Sequence, residues 1–286
     1  MRAEGDPEIS TGRLVLAGTP LGRVSDASVG LIRALGSADV IAAEDTRRLH
    51  RLASDLGVSL SATVVSYYEA VEQARIPGLL ERIRRGEEVV LVTDAGMPSV
   101  SDPGYRLVAA AAQAGLTVTS IPGPSAVITA LALSGLPSDR FTFEGFLPRK
   151  AGERQSALSA LSAEARTMVF FESVHRLSDT LAAMVAAFGD DRPAALCREL
   201  TKTYEEVRRG TLGELSAGAD GVRGEVTLVV SGATADAVGP PTDAVLGAEV
   251  AELVAAGSTR RDAIDAIAAK YGLPRRTVYA VGHRSV

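Results

Sequence analysis

Over most of its length the chain repeats one local pattern: a short apolar run, a turn rich in Gly, Pro or Asp, then a helical stretch. Leu14–Ala17 runs into GTPLG, Val89–Thr93 into DAGMP and Leu116–Ile121 into PGPS. Met168–Phe171 runs into ES, Ala194–Cys197 into RELTK and Val226–Val230 into SG. Runs this short and rich in Val, Ile, Leu and Phe read as strands. Between them lie helical patterns: Ser28–Ser37, Ile76–Arg85, Gly104–Ala114, Ser125–Leu133, Ala151–Leu161 and Leu177–Phe188. Several stop at a glycine (Gly86, Gly115, Gly189), the residue that most easily takes the left-handed turn after a helix. Strand alternating with helix predicts an α/β protein with mostly parallel sheets.

Two such α/β units follow one another, 12–122 and 123–233, joined at PGPS. Residues 1–11 read as a flexible tail and 234–243 as a linker. Residues 244–286 read as a small helical module. Within it, Ser258 is the expected N-cap of a helix over Thr259–Lys270. The turn 271–274 and a last helix from Arg275 to His283 complete a helix-turn-helix-like pair.

Composition narrows the function classes. The 286 residues are 46% hydrophobic, too many for a disordered chain. A single cysteine, Cys197, excludes a disulfide framework and a Cys-cluster metal site, and no metal is expected. Apolar stretches such as Ala126–Leu133 are far short of the ~20 residues of a spanning helix, so no membrane partner is expected. The polar start MRAEGDPEISTG carries no apolar signal region, which predicts a cytoplasmic protein. The formal charge of −5 excludes a uniformly basic nucleic-acid binder. That charge is unevenly spread. Residues 257–286 hold six Lys or Arg against two Asp or Glu, and the remainder holds 24 against 33.

In open α/β sheets ligands bind beyond the carboxyl ends of the strands. The Gly/Pro/Asp-rich segments fall at those ends six times, which favours a ligand site over six unrelated turns. AGTPLGRVSD (17–26) is neither a Walker loop nor GxGxxG, so a nucleoside-triphosphate site and a dehydrogenase are disfavoured. TDAGMPSVSDPG (93–104) offers Asp94 and Asp102, either as ligand acceptors or as caps, with Gly96 and Gly104 allowing close backbone approach. In VIAAEDTRR (40–48), Glu44, Asp45, Arg47 and Arg48 are an acid/base or phosphate-contact group, or a solvated charge run. FFESVHRL and CRELTKTYEE add Glu172, Ser173, His175, Arg198, Glu199 and Lys202; a lone His such as His175 is usually structural. Arg149, Lys150 and Arg154 sit in a basic loop.

These segments together resemble the tetrapyrrole-methylase superfamily of S-adenosylmethionine-dependent methyltransferases. The motifs are GTPLG (18–22), AAEDTRR (42–48), DAGMP with SDPG (94–104), PGPSAVITAL (122–131), GLPSDRFTFEGFLPRK (135–150), FFES-HR (170–176), RELTK (198–202) and GEVTLVV (224–230). Within the superfamily the chain looks like the branch that methylates a cytidine ribose 2′-hydroxyl in bacterial 16S rRNA. The resemblance implies two class III methyltransferase α/β domains with a cleft between them that binds S-adenosylmethionine, and a homodimer. Its cofactor segments fall here on Pro20, Asp94, Ala95, Gly96, Pro98, Asp102, Ser125, Ala126, Ser173 and Leu200. Arg23, Met97 and SYYEAVE (66–72) depart from the pattern of the RNA branch.

A ribose hydroxyl is a weak nucleophile, so the reaction implies a general base. Glu199, Glu44, Asp45 and Asp102 are the carboxylate candidates, and Lys202 or Lys150 could lower the hydroxyl's pKa by proximity. RNA in the small ribosomal subunit is expected to touch Arg47, Arg48, Arg149, Lys150, Arg260, Arg261, Arg275 and Arg276, because phosphate contacts dominate affinity. Two other functions compete: a precorrin-type tetrapyrrole methyltransferase and a non-enzymatic RNA-binding or assembly protein.

Overall fold

The computed structural model describes residues 12–233, 243–271 and 273–282. The expected tail 1–11 and nearly all of the expected linker lie outside them. The described part divides into two compact units. One holds both sheets. The other comprises Ala163–Ala165 and the chain from Gly232 onward.

The first half of the larger unit alternates without exception: β1 (Arg13–Ala17), α1 (Val29–Ser37), β2 (Val40–Ala43), α2 (Thr46–Asp55), β3 (Thr63–Ser66), α3 (Glu69–Arg84), β4 (Glu88–Val92), α4 (Tyr105–Gln113) and β5 (Thr117–Ile121). The strands form one parallel sheet in the order β3-β2-β4-β1-β5. Its central strands are buried on both faces, which is why they read as continuous apolar runs. Val15, Ile41 and Val90 pack under α1 and α2 on one face, and Leu14, Val89 and Leu91 under α3 and α4 on the other.

The second half runs α5 (Ala126–Ser134), β6 (Phe141–Phe146), α6 (Ala151–Ala160), β7 (Thr167–Ser173), α7 (Leu177–Phe188), β8 (Pro193–Arg198), β9 (Glu206–Thr211), α8 (Leu212–Ala217) and β10 (Glu225–Val230). Its sheet order is β6-β7-β10-β8-β9. Here the expectation of mostly parallel strands fails. β6 and β7 are parallel, but β10 is antiparallel to both β7 and β8, and β8 is antiparallel to β9. The short connection 199–205 lets β8 and β9 pair only antiparallel, and after α8 the chain returns as β10 between β7 and β8, running against both.

The smaller unit contains α9 (Asp243–Ala255), α10 (Arg260–Tyr271) and α11 (Arg275–Gly282). Leu246, Val250, Ile264, Ile267 and Val278 form its core. The N-cap of α10 is one residue later than expected. The Thr259 hydroxyl, not that of Ser258, accepts the Asp262 N–H at 3.2 Å and itself donates to the Asp262 carboxylate at 2.6 Å. Among the described residues no helix is long and apolar enough to cross a membrane.

Candidate functional site

In the parallel sheet the carboxyl ends of β1, β4 and β5 share one edge. In the second sheet β7 and β8 also point one way. β10 runs against them, so its SG turn lies at the opposite end. Five of the six turns therefore sit at strand ends of common direction within their own sheets, not six. What reaches the β7/β8 edge instead is the start of β10, the segment Arg223–Glu225.

Two backbone approaches hold the first-sheet loops together. Gly18 donates its N–H to the Ile121 carbonyl at 3.0 Å. A Cβ on Gly123 would lie 2.8 Å from the Gly18 backbone, so GTPLG and PGPS can touch only as glycine against glycine. Thr19 and Gly96 exchange backbone hydrogen bonds of 2.9 and 3.1 Å, and the Thr19 hydroxyl donates to the Thr93 carbonyl at 3.1 Å. Gly96 takes φ +82°, the left-handed conformation that this tight junction requires.

A cavity opens on each side of that bridge. One is lined by Pro20, Glu44, Asp45, Arg48, Thr93 and Asp94 with an apolar floor from Leu49, Leu52 and Val92. The other is lined by Leu21, Ala95, Gly96, Met97, Val100 and Asp102 from the first half and by Ser125, Ala126, Val127 and Phe171 from the second. Of the ten residues expected around a cofactor, Pro20 and Asp94 lie at the first cavity, and Ala95, Gly96, Asp102, Ser125 and Ala126 at the second. Pro98 is buried within its loop, Leu200 is buried in the apolar cluster under α5, and Ser173 ends β7. Thr19, Thr93, Met97 and Phe171 join the site although sequence reasoning does not single them out as site residues. The signal available for them is their position at a strand end or inside a named motif.

Three carboxylates converge here. Asp94 N–H donates to Glu44 Oε2 at 3.1 Å, and Asp45 N–H donates to Asp94 Oδ1 at 3.2 Å. Arg48 lies 3.3 Å from Asp94 Oδ2. Burial raises the pKa of Glu44 against the Asp94 N–H bond, and the negative charge of Asp94 adds to the rise. Burial also raises that of Asp94, with Arg48 opposing. Asp102 is pushed up to about 7, first by burial and then by the charges of Glu44 and Asp94. Asp45 is different. It caps α2 by accepting the Arg47 N–H at 2.8 Å and pairs with the Arg47 side chain, which lowers its pKa to about 2.

Glu199 and Lys202 form a clasp. Glu199 Oε1 accepts the Glu225 N–H at 2.9 Å and the Lys202 ammonium at 3.0 Å. Lys202 also reaches Glu225 Oε2 at 3.0 Å, and its stem lies against Gly22 of the first loop. Thr201 Oγ1 accepts the Arg23 N–H at 3.3 Å. Burial alone would raise the pKa of Glu199, but the Glu225 N–H and Lys202 outweigh it and lower it. For Lys202, burial opposes the charge and the bonds to Glu199 and Glu225 prevail, raising its pKa. The RELTK loop thus ties the second half to the first loop.

FFES-HR is a second tie. Glu172, with a fully buried side chain, accepts from Arg176 at 2.6 Å and from the Thr180 hydroxyl at 2.6 Å, and Arg176 donates to the Leu147 carbonyl at 3.1 Å. His175 is exposed. Of the basic residues expected to meet RNA, Arg48 is held by Asp94, Arg47 by Asp45, Lys150 by Glu153 and Arg275 by Asp265. Arg149, Arg261 and Arg276 are exposed, and Arg260 begins α10. Among the described residues no cluster of His, Cys, Asp or Glu could hold a metal ion.

The architecture defines an α/β protein of two unlike sheets whose loop-bearing edges meet at a shared cavity. The chain belongs to the tetrapyrrole (corrin/porphyrin) methylase family, whose model matches residues 13–216. A Mycobacterium bovis protein named ribosomal RNA small subunit methyltransferase I is 51% identical over 273 residues, 95% of this chain and 94% of its own length. Among solved structures, the methyltransferase CobJ matches 78% of this chain and 95% of its own with TM-score 0.61 at 20% identity. Uroporphyrin-III C-methyl transferase from Thermus thermophilus, complexed with S-adenyl homocysteine, matches 77% of this chain and 96% of its own with TM-score 0.52 at 19% identity. At such identities the structures share the fold alone.

Proposed function

We propose that the chain is an S-adenosylmethionine-dependent methyltransferase that 2′-O-methylates the ribose of a cytidine in 16S rRNA of the small ribosomal subunit. The supporting observation is 51% identity, across 95% of the chain, to the Mycobacterium bovis protein named for small-subunit rRNA methylation. A homodimer in the cytoplasm belongs to the same reading.

The shared cavity suits this cofactor. Met97, Ala126 and Phe171 offer an apolar wall, and Ser125 offers a polar group. In the adjoining cavity the Thr93 hydroxyl is buried without a hydrogen-bond partner. The nearby carboxylates favour a cation. When bound, S-adenosylmethionine supplies an electrophilic methyl group on a positively charged sulfur. The chain must hold that carbon in line with the acceptor oxygen, and positioning supplies much of the rate. The glycine-to-glycine junction and the Thr19–Gly96 bridge fix the loops that do so.

The test is transfer of labelled methyl to small subunits whose rRNA lacks the modification, followed by mass spectrometry of the digested RNA. One new 2′-O-methylcytidine in 16S rRNA is expected. Label appearing only in a tetrapyrrole precursor would favour the tetrapyrrole reading. No calorimetric binding of S-adenosylmethionine would leave a non-enzymatic RNA-binding protein.

A further inference from the structure

We infer that Asp102 is the group that takes the proton from the acceptor hydroxyl during methyl transfer, an assignment that rests on the methyltransferase reading above. Every other carboxylate that lines the two cavities, and Glu199 beside the first loop, is already engaged. Glu44 accepts from Asp94 N–H, Asp45 from Arg47, Asp94 from Asp45 N–H with Arg48 beside it, and Glu199 from Glu225 N–H and Lys202. Asp102 alone of this group accepts no hydrogen bond among the described residues, and it lines the cavity that both halves share. Thr93, only 5% exposed, has an unpartnered hydroxyl beside the carboxylates in the adjoining cavity. Buried polar groups left unpaired in this way call for a ligand's polar atoms.

The loop holding Asp102 is fixed from behind. Buried Glu72 accepts the Gly104 N–H at 3.0 Å and the Tyr67 hydroxyl at 3.0 Å. The neighbouring Ser101 is held at φ +63°. The charged groups that face Asp102 are Glu44, beyond β2, and Asp94, beyond β4, both negative. Burial and these two charges place its proton affinity near neutrality, where a general base works best. In the step itself the hydroxyl proton passes to an Asp102 carboxylate oxygen. The acceptor oxygen's electron pair forms the new bond to the methyl carbon, and the pair of the broken carbon–sulfur bond stays on sulfur.

Two measurements test this. In the free protein, a carboxyl-carbon NMR titration should show one aspartate titrating near pH 7 that vanishes in Asp102→Asn; its absence overturns the assignment. In single-turnover transfer to small subunits, Asp102→Asn should slow the rate at least 100-fold while cofactor affinity by calorimetry changes less than fivefold. The wild-type rate should rise with pH through a midpoint near 7 to a plateau above it, and Glu44→Gln, which removes one facing charge, should move that rise to lower pH. A near-wild-type rate in Asp102→Asn, or a cofactor affinity that falls as far as the rate, overturns the assignment and leaves the methyltransferase reading standing. A wild-type protein that transfers no methyl to the subunit overturns the acceptor reading and this assignment with it.

Discussion

Asp102 pulls against the fold that holds it. Its folded pKa of about 7 lies above the ordinary aspartate value of 3.8. Between those values the native state keeps a proton that the unfolded chain has lost, so stability falls as pH rises through that window. Asp102→Asn should therefore be more stable than wild type at pH 8, by about 1–2 kcal/mol once partial solvent screening is allowed for, and equal to it near pH 4. Urea unfolding at the two pH values checks the sign. Gly123 acts at the same scale by sterics alone. In Gly123→Ala the new methyl would meet the Gly18 backbone at 2.8 Å, and backbone cannot step aside as a side chain can. The expected cost is about 1–3 kcal/mol of stability, with cofactor affinity down at least tenfold by calorimetry. Single residues are only partly legible in the sequence. Asp102 stands out there as one of two aspartates in a strand-end loop. What separates it from Asp94, Glu44 and Glu199 is set by partners up to 50 positions away in the chain.

At the scale of elements, the polar motifs turn out to be ties between elements as much as site residues. Glu172 at the end of β7 is buried and neutralised by Arg176 just before α7, and the same guanidinium pins the Leu147 carbonyl after β6. Arg176→Ala leaves that carboxylate uncompensated and should cost about 3–5 kcal/mol in urea unfolding. Arg176→Lys should recover part of this, since an ammonium keeps the charge without the two-pronged geometry. The strands show which elements periodicity can reveal. The buried strands β1, β4, β7, β8 and β10 read as apolar runs, and so does the edge strand β5. β3, β6 and β9 do not, because an edge strand such as EVRRGT is only half-buried and has a mixed pattern. β2, the buried VIAA, is four residues long and merges in the sequence with the charged segment that follows it.

For the whole molecule, charge is the property most open to test. Arg261 and Arg276 are exposed in the terminal helical unit, where Lys270 and Arg275 are already paired with Glu249 and Asp265. If this unit contacts RNA, as its arginines lead one to expect, the double variant Arg261→Glu, Arg276→Glu should weaken rRNA binding and lessen its salt dependence, by roughly one unit of slope for each phosphate left without its arginine. Cofactor affinity should stay unchanged, and filter binding across a salt series beside calorimetry measures both. The sequence by itself determined the alternation of strand and helix, the glycine stops, the apolar module at the end and the place of the candidate site at strand ends. Each of these is set by neighbours within a few residues, where backbone sterics and periodicity act. Only the tertiary structure decided that the second sheet is mostly antiparallel, that the β10 turn faces away from the site, and that Glu199 and Lys202 clasp the start of β10, with the lysine stem against the first loop, while Asp102 stays unbonded. Those outcomes depend on strand register, burial and charge between residues far apart in the chain, and no local pattern carries that information.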